Sequence, residues 1–152
     1  MQQPNPAYIR DLIGKVNTSA FPTHMAMRLI DISYDEATVA LDLGVCHLQP
    51  FGIVHGGVLA TLIDTATFWA VFLRLPEDAG LVNIDLKLNY LQPVQRGRLR
   101  ACGRAIRSGN SISYAEARVQ DEEGRLLAHG TSTLMALPGK GLKMEHRKFL
   151  AG

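Results

Sequence analysis

Between Gly56 and Leu73 the chain reads GGVLATLIDTATFWAVFL, and Asp64 is the only ionisable residue in those eighteen positions. A helix that is apolar on nearly every side must be covered on nearly every side, which limits the folds open to this chain. The segment is long enough to raise the question of a membrane span. Asp64 near its middle, three threonines and the absence of flanking anchors argue instead for a helix buried inside a soluble fold. An unpaired carboxylate in such a place costs on the order of several kcal/mol, so it must be paired, protonated or used. Gly56 and Gly57 open the segment with backbone N–H groups at a helix N-terminus, where negative charge is stabilised. An anion-binding backbone two helical turns ahead of a buried acid reads as an active site.

At 152 residues, 47% hydrophobic and 20% charged, the chain is the size and composition of one soluble globular domain over 1–152. A net charge of +2 is too mild to argue for nucleic acid, although it suits a small anionic ligand. Cys46 and Cys102 lack metal-ligand or redox spacing, and they read as buried thiols in a reducing cytosol. The opening MQQPNPAYIRDLIGKV lacks the basic-then-apolar pattern of a secretory leader, so a cytoplasmic location is expected.

Apolar residues at Ile9, Leu12, Ile13 and Val16 predict a helix over about 6–17. Met27–Tyr34 and Glu36–Leu43 read as a hairpin around Asp35, followed by a loop at Leu48–Gly52. The central helix is expected over about 56–74. In the next strand Val82, Ile84, Leu86, Leu88 and Tyr90 alternate with polar residues, which places Asn83 on the polar face. Strands at Arg98–Arg107, Ser111–Gln120 and Leu126–Leu137 follow, joined by turns at Ser108–Asn110 and Asp121–Gly124. With the preceding strand they are expected to form a four-stranded meander. A basic tail occupies about 138–152. The predicted class is α+β: an antiparallel sheet wrapped around one long apolar helix, with a second subunit covering what the sheet leaves open.

The string Gln49-x5-His55-Gly56-Gly57-x6-Asp64-x-Ala66 resembles the hotdog-fold acyl-CoA thioesterases of the PaaI type. So does Asn89-Tyr90-Leu91-Gln92-Pro93-Val94 with Gly97 in the strand after the central helix. The match spans roughly Met27 to Leu137 in the same element order. The resemblance implies a homodimer, often doubled to a tetramer, with each active site shared across the interface. Gly56 and Gln49 would come from one subunit and Asp64 from the other. No metal or cofactor is implied, because coenzyme A arrives as part of the substrate.

Residue by residue, the Gly56 N–H is the candidate donor to the thioester oxygen, and glycine suits that place because no side chain keeps substrate away. Asp64 is the candidate base for water, or the nucleophile itself through an anhydride. Gln49 would orient water or the thioester, and His55 would fix the loop and aim Gly56. Gly57, Ala60, Thr61, Asp64 and Thr67 or Phe68 share one side of the helix, a face with room for a ligand or a partner helix. Asn83 stands where relatives often carry a small hydroxyl residue, so the water-positioning role is open there. Arg107, Ser108 and Gly109 are candidates for the coenzyme A phosphates, as are Lys140, Lys143, Arg147 and Lys148 in the tail. The acyl end would meet Phe51, Phe68, Trp69 and Phe72. His24, His47, His129 and His146 show no ligand spacing. Two other readings compete: a hotdog module that binds acyl-CoA without catalysis, and a hotdog hydratase or dehydratase using His55 with Asp64.

Overall fold

The computed structural model describes residues 2–151. Its elements run α1 (Pro6–Asn17), α2 (Ala20–Met25), β1 (Met27–Ser33), β2 (Glu36–Asp42), α3 (Gly56–Phe72), β3 (Gly80–Tyr90), β4 (Arg98–Ser108), β5 (Ile112–Gln120) and β6 (Leu126–Leu137). A short 3₁₀ turn at Val45–His47 precedes the loop that leads into α3. Pro6 opens α1 at a position where its missing N–H is harmless, and the Asn5 side chain accepts from the Ala7 N–H. Tyr8, Leu12 and Val16 bury one stripe of this helix. Helix α2 has no counterpart in the sequence reading. It buries no residue, so it leaves no apolar period to read.

The six strands form one antiparallel sheet in the order β1-β2-β4-β5-β6-β3. The expected four-strand meander therefore needs correction. Only β4, β5 and β6 meander, while β4 pairs with β2 and β3 crosses to the far edge beside β6. That crossing lets the sheet embrace α3, which contacts all six strands. The helix lies against the sheet so closely that a Cβ at Gly103 would stand 2.2 Å from the Ala66 carbonyl oxygen. Leu62, Ile63, Ala66 and Ala70 on the helix, with Leu99, Ala101, Ala117 and Val119 on the strands, make a fully buried interface. Burial of apolar surface at roughly 25 cal/mol per Å² is what holds this layer together.

Strand β3 departs from strict alternation at Ile84. Its partners shift between Asn83 and Asp85, so Ile84 is an extra, unpaired residue. Leu81 and Asn83 face α3 before the bulge, and Leu86 and Leu88 are half-buried after it. Val82 and Ile84 are exposed, against the sequence expectation, and Asn83 lies inside rather than on the polar face.

The tail also differs from a solvated basic segment. Pro4 bridges Phe149, and Lys148 is 1% exposed, with its ammonium donating to the Phe72 and Leu75 carbonyls at 2.7 and 2.8 Å. It caps the C-terminal end of α3 and is closed to a phosphate. Cys46 and Cys102 are free and exposed, not buried as the sequence suggested. Among the described residues no helix is long and apolar enough to cross a membrane.

Candidate active site

His55 is the N-cap of α3, and its Nδ1 accepts the Gly57 N–H at 2.8 Å. That bond occupies the second N–H of the helix and leaves the first, on Gly56, outside the intrahelical ladder. A Cβ at Gly56 would meet the tip of the Tyr90 ring at 2.8 Å, and one at Gly57 would meet His55 Nδ1 at 2.9 Å. Both glycines are therefore set by close approach.

The loop ahead of α3 is held from below by His47, which is buried. Its Nδ1 accepts from the Gly44 N–H and its Nε2 donates to the Met25 carbonyl, each at 2.8 Å. The His55 N–H in turn donates to the His47 carbonyl. Nothing in the sequence pattern singled out His47 for this work. Gln49 forms a tight turn with Ile53, closed through Gly52 at φ +80°, and its Oε1 accepts from the Phe51 N–H. Gln49, Gly56, Leu59, Tyr90 and Pro93 line one cleft, about 400 Å³ in volume. Phe51, at 89% exposed, stands clear of the acyl region assigned to it.

Asp64 lies on a different cleft. It is half-buried, and Asn83 Nδ2 donates to its Oδ1 at 2.8 Å. The same amide nitrogen donates to Ser132 Oγ at 3.0 Å, and Ser132 donates to the Asp85 carbonyl. The network fixes the amide orientation, since the flipped form would set Asn83 Oδ1 against a carboxylate. Asn83 Oδ1 is buried and has no partner among the described residues. Burial raises the Asp64 carboxyl above its ordinary range, and the Asn83 hydrogen bond opposes that rise. Ser132 carried no signal in the sequence; Asn83 was singled out there by the resemblance as a candidate site position, while its period-2 pattern put it on the polar face because the bulge that turns it inward leaves no mark.

Thr61 does not reach Asp64. Its hydroxyl donates to the Gly57 carbonyl of its own helix at 2.8 Å. Thr67 is buried and bonds the Ile63 carbonyl, so it belongs to the sheet side of α3, whereas Phe68 shares a cavity with Asp64 and Trp69. Arg107, Ser108 and Gly109 lie at the β4–β5 hairpin, where Ser108 approaches Asp35, itself paired with Arg74 just past the end of α3. With the helix rising 1.5 Å per residue, that end is about 25 Å from Gly56 of the same chain. Elsewhere, Asp11, Glu145 and His146 bring ligand-type atoms within 4.8 Å of one another where α1 meets the tail. His146 Nδ1 and Asp11 Oδ2 already share a hydrogen bond at 2.5 Å, and Glu145 is exposed.

A sheet wrapped around a central helix, with a capped Gly-Gly N-terminus and a half-buried acid on that helix, is the hotdog architecture of thioester-cleaving enzymes. The chain belongs to the thioesterase superfamily, whose family model matches residues 51–128. A Haemophilus influenzae protein designated an esterase is 31% identical over 127 residues, covering 82% of this chain and 91% of its own. The 1,4-dihydroxy-2-naphthoyl-CoA hydrolase of Listeria monocytogenes is 26% identical over 110 residues, covering 72% of this chain and 89% of its own. Among solved structures, a thioesterase of Haemophilus influenzae superposes with a TM-score of 0.82 at 25% identity, covering 96% of this chain and all of that one. The chain is a thioester hydrolase.

Proposed function

We propose that the chain hydrolyses acyl- or aryl-CoA thioesters, with Asp64 as general base and the Gly56 N–H as oxyanion donor. The observation that carries this reading is the pair formed by Asp64 and Asn83. Burial raises the Asp64 pKa, as suits a base, and the Asn83 amide holds its Oδ1 while the other carboxylate oxygen is left to accept from a water. In the proposed step that water attacks the thioester carbonyl carbon and gives a proton to Asp64. The carbonyl oxygen takes the negative charge and is held by the Gly56 N–H. Collapse expels the coenzyme A thiolate, which takes the proton back from Asp64, and the free acid departs. Gln49 orients the thioester at the Gly56 cleft, and His55 keeps that N–H pointed outward.

Gly56 and Asp64 are eight residues apart on one helix, a rise of about 12 Å. One carbonyl cannot meet both in the same chain, so the reading requires a homodimer with each site shared, and two such dimers can form a tetramer. Strand β3 at the sheet edge supplies the unpaired backbone such pairing uses. The two exposed free thiols fit a reducing compartment such as the cytosol.

The test is a panel of acyl- and aryl-CoA substrates, with released thiol followed by colour, on wild type and Asp64→Ala. Wild type is expected to turn over members of the panel, and the variant to lose at least about 100-fold in kcat. Equal rates remove Asp64 from the mechanism. Tight acyl-CoA binding with no hydrolysis by wild type selects the binding module.

A further inference from the structure

On the Asp64 side of α3 lies a second cavity, of about 310 Å³, walled by Phe21, Met27, Phe68, Trp69 and Leu142 with Asp64 at its edge. Its floor is the middle of α3. Its outer wall comes from α1, α2, the start of β1 and the C-terminal tail, none of which falls within the 51–128 span that the family model matches. Helix α2 buries no residue and leaves Phe21 55% exposed, and it is tied down at its C-terminal end, where Met25 packs against the core and its carbonyl accepts from His47. A left-handed turn at Ala26, φ 52°, brings the chain straight from α2 into β1 and sets Phe21 over the α3 aromatics. Phe68 and Trp69 meet edge to face at 4.8 Å, a rigid aromatic floor. Among the described residues the charged ones in the wall are Asp64 and Lys15, and Lys15 is exposed.

Resting on the thioesterase reading above, we propose that this cavity receives the acyl group of the thioester, and that α2 and Leu142 limit its size. The occupant is fixed by Asp64. A carbonyl presented to that acid must send one substituent into the adjoining cavity, and an apolar wall rejects the phosphates and amides of coenzyme A. The volume sets the class. A cavity of about 150 Å³ takes up benzene, so a space of about 310 Å³ seats one substituted aromatic ring or a chain of about eight carbons, and a sixteen-carbon chain must extend past α2 and Leu142.

Trp69 is the only tryptophan in the chain, so its fluorescence reports on this wall alone. The experiment titrates the full-length protein with coenzyme A, S-octyl-coenzyme A and S-hexadecyl-coenzyme A, the last two being thioethers that cannot be hydrolysed. Chain-length profiles of kcat/KM are measured alongside for wild type, Phe21→Ala and Leu142→Ala. Expected are a Trp69 response to the octyl compound that coenzyme A alone does not give, and a shift toward longer chains by about tenfold in the hexadecanoyl-to-octanoyl ratio for Phe21→Ala. Phe21 is exposed, so this variant is expected to fold, and Leu142→Ala tests the same wall from the tail. The proposal is overturned if coenzyme A alone produces the full Trp69 response, or if both variants keep the wild-type profile. Absence of thiol release from every substrate sinks the thioesterase reading instead, and a chain-specific Trp69 response in that case leaves the acyl cavity standing.

Discussion

At the scale of single residues, Asp64 carries two opposed influences. Burial raises its pKa, and the 2.8 Å bond from Asn83 lowers it. A base must be ionised to accept a proton from water, so the acid limb of kcat/KM falls at the Asp64 pKa of the free enzyme. Asn83→Ala removes the lowering influence and leaves the burial, so the limb is expected to move to higher pH. Turnover at the plateau is expected to fall about tenfold or more, because the amide no longer holds the carboxylate in place. A pH–rate profile on both proteins checks this, and a limb that stays in place or moves to lower pH contradicts it. Asp64, Gly56 and His55 were all legible as a motif because their chemistry needs fixed residue types at fixed spacing along one stretch. Ser132 and the inward side of Asn83 were not, since they depend on a bulge that shifts two strands against each other. Arg107–Gly109, a basic residue beside a Ser-Gly turn, was read as an anion site, and it sits at the β4–β5 hairpin where Ser108 approaches the Asp35–Arg74 pair.

At the scale of elements, α3 is capped at both ends by side chains the apolar pattern does not announce. His55 serves the N-terminus, and Lys148, seventy-six residues from Phe72, serves the C-terminus. The Lys148 ammonium also lies 4.3 Å from the Phe72 ring centroid. Burial nevertheless pushes Lys148 down to about 8 from an ordinary 10.5, with Glu77 pulling it partly back. Between those two values the unfolded chain holds a proton that the native protein has released, so stability from this group rises with pH across the window and is lost as pH falls through 8. The unfolding free energy of wild type relative to Lys148→Met is expected to grow from pH 8 to pH 10, by up to about 1.4 kcal/mol per pH unit. Keeping below pH 10 avoids Tyr8, which burial raises to about 12 and whose native proton gives the opposite slope beyond its ordinary value. Urea unfolding at a series of pH values measures the difference, and a flat or falling one would show that burial does not depress Lys148. The helices and strands themselves were readable where a period could form: α1, the ends of β2 and the start of α3 agree closely with the pattern. Six-residue α2, with Pro22 inside it and no buried face, had none to offer.

At the scale of the whole molecule, the proposed mechanism gives one chain two half-sites on one helix, and it stands or falls on their meeting across a dimer. Mixed dimers test that directly. Asp64→Ala disables the acid on its own chain, and Gly56→Pro deletes the N–H on the other half-site. Proline is well suited to the first position of a helix, and His55 before it is already extended at ψ 132°. A Cβ there would meet the tip of the Tyr90 ring, the far end of an exposed side chain. Each variant alone leaves both sites of its dimer defective. A heterodimer gathers both lesions into one site and leaves the other intact. After subunit exchange of equal amounts, half the dimers are mixed and half of their sites are whole, so activity is expected to recover to about a quarter of wild type. Circular dichroism of each variant establishes that it is folded before mixing. Activity no greater than the mean of the two parents, with exchange confirmed by mass-tagged subunits, would place Gly56 and Asp64 in the service of different reactions or of none.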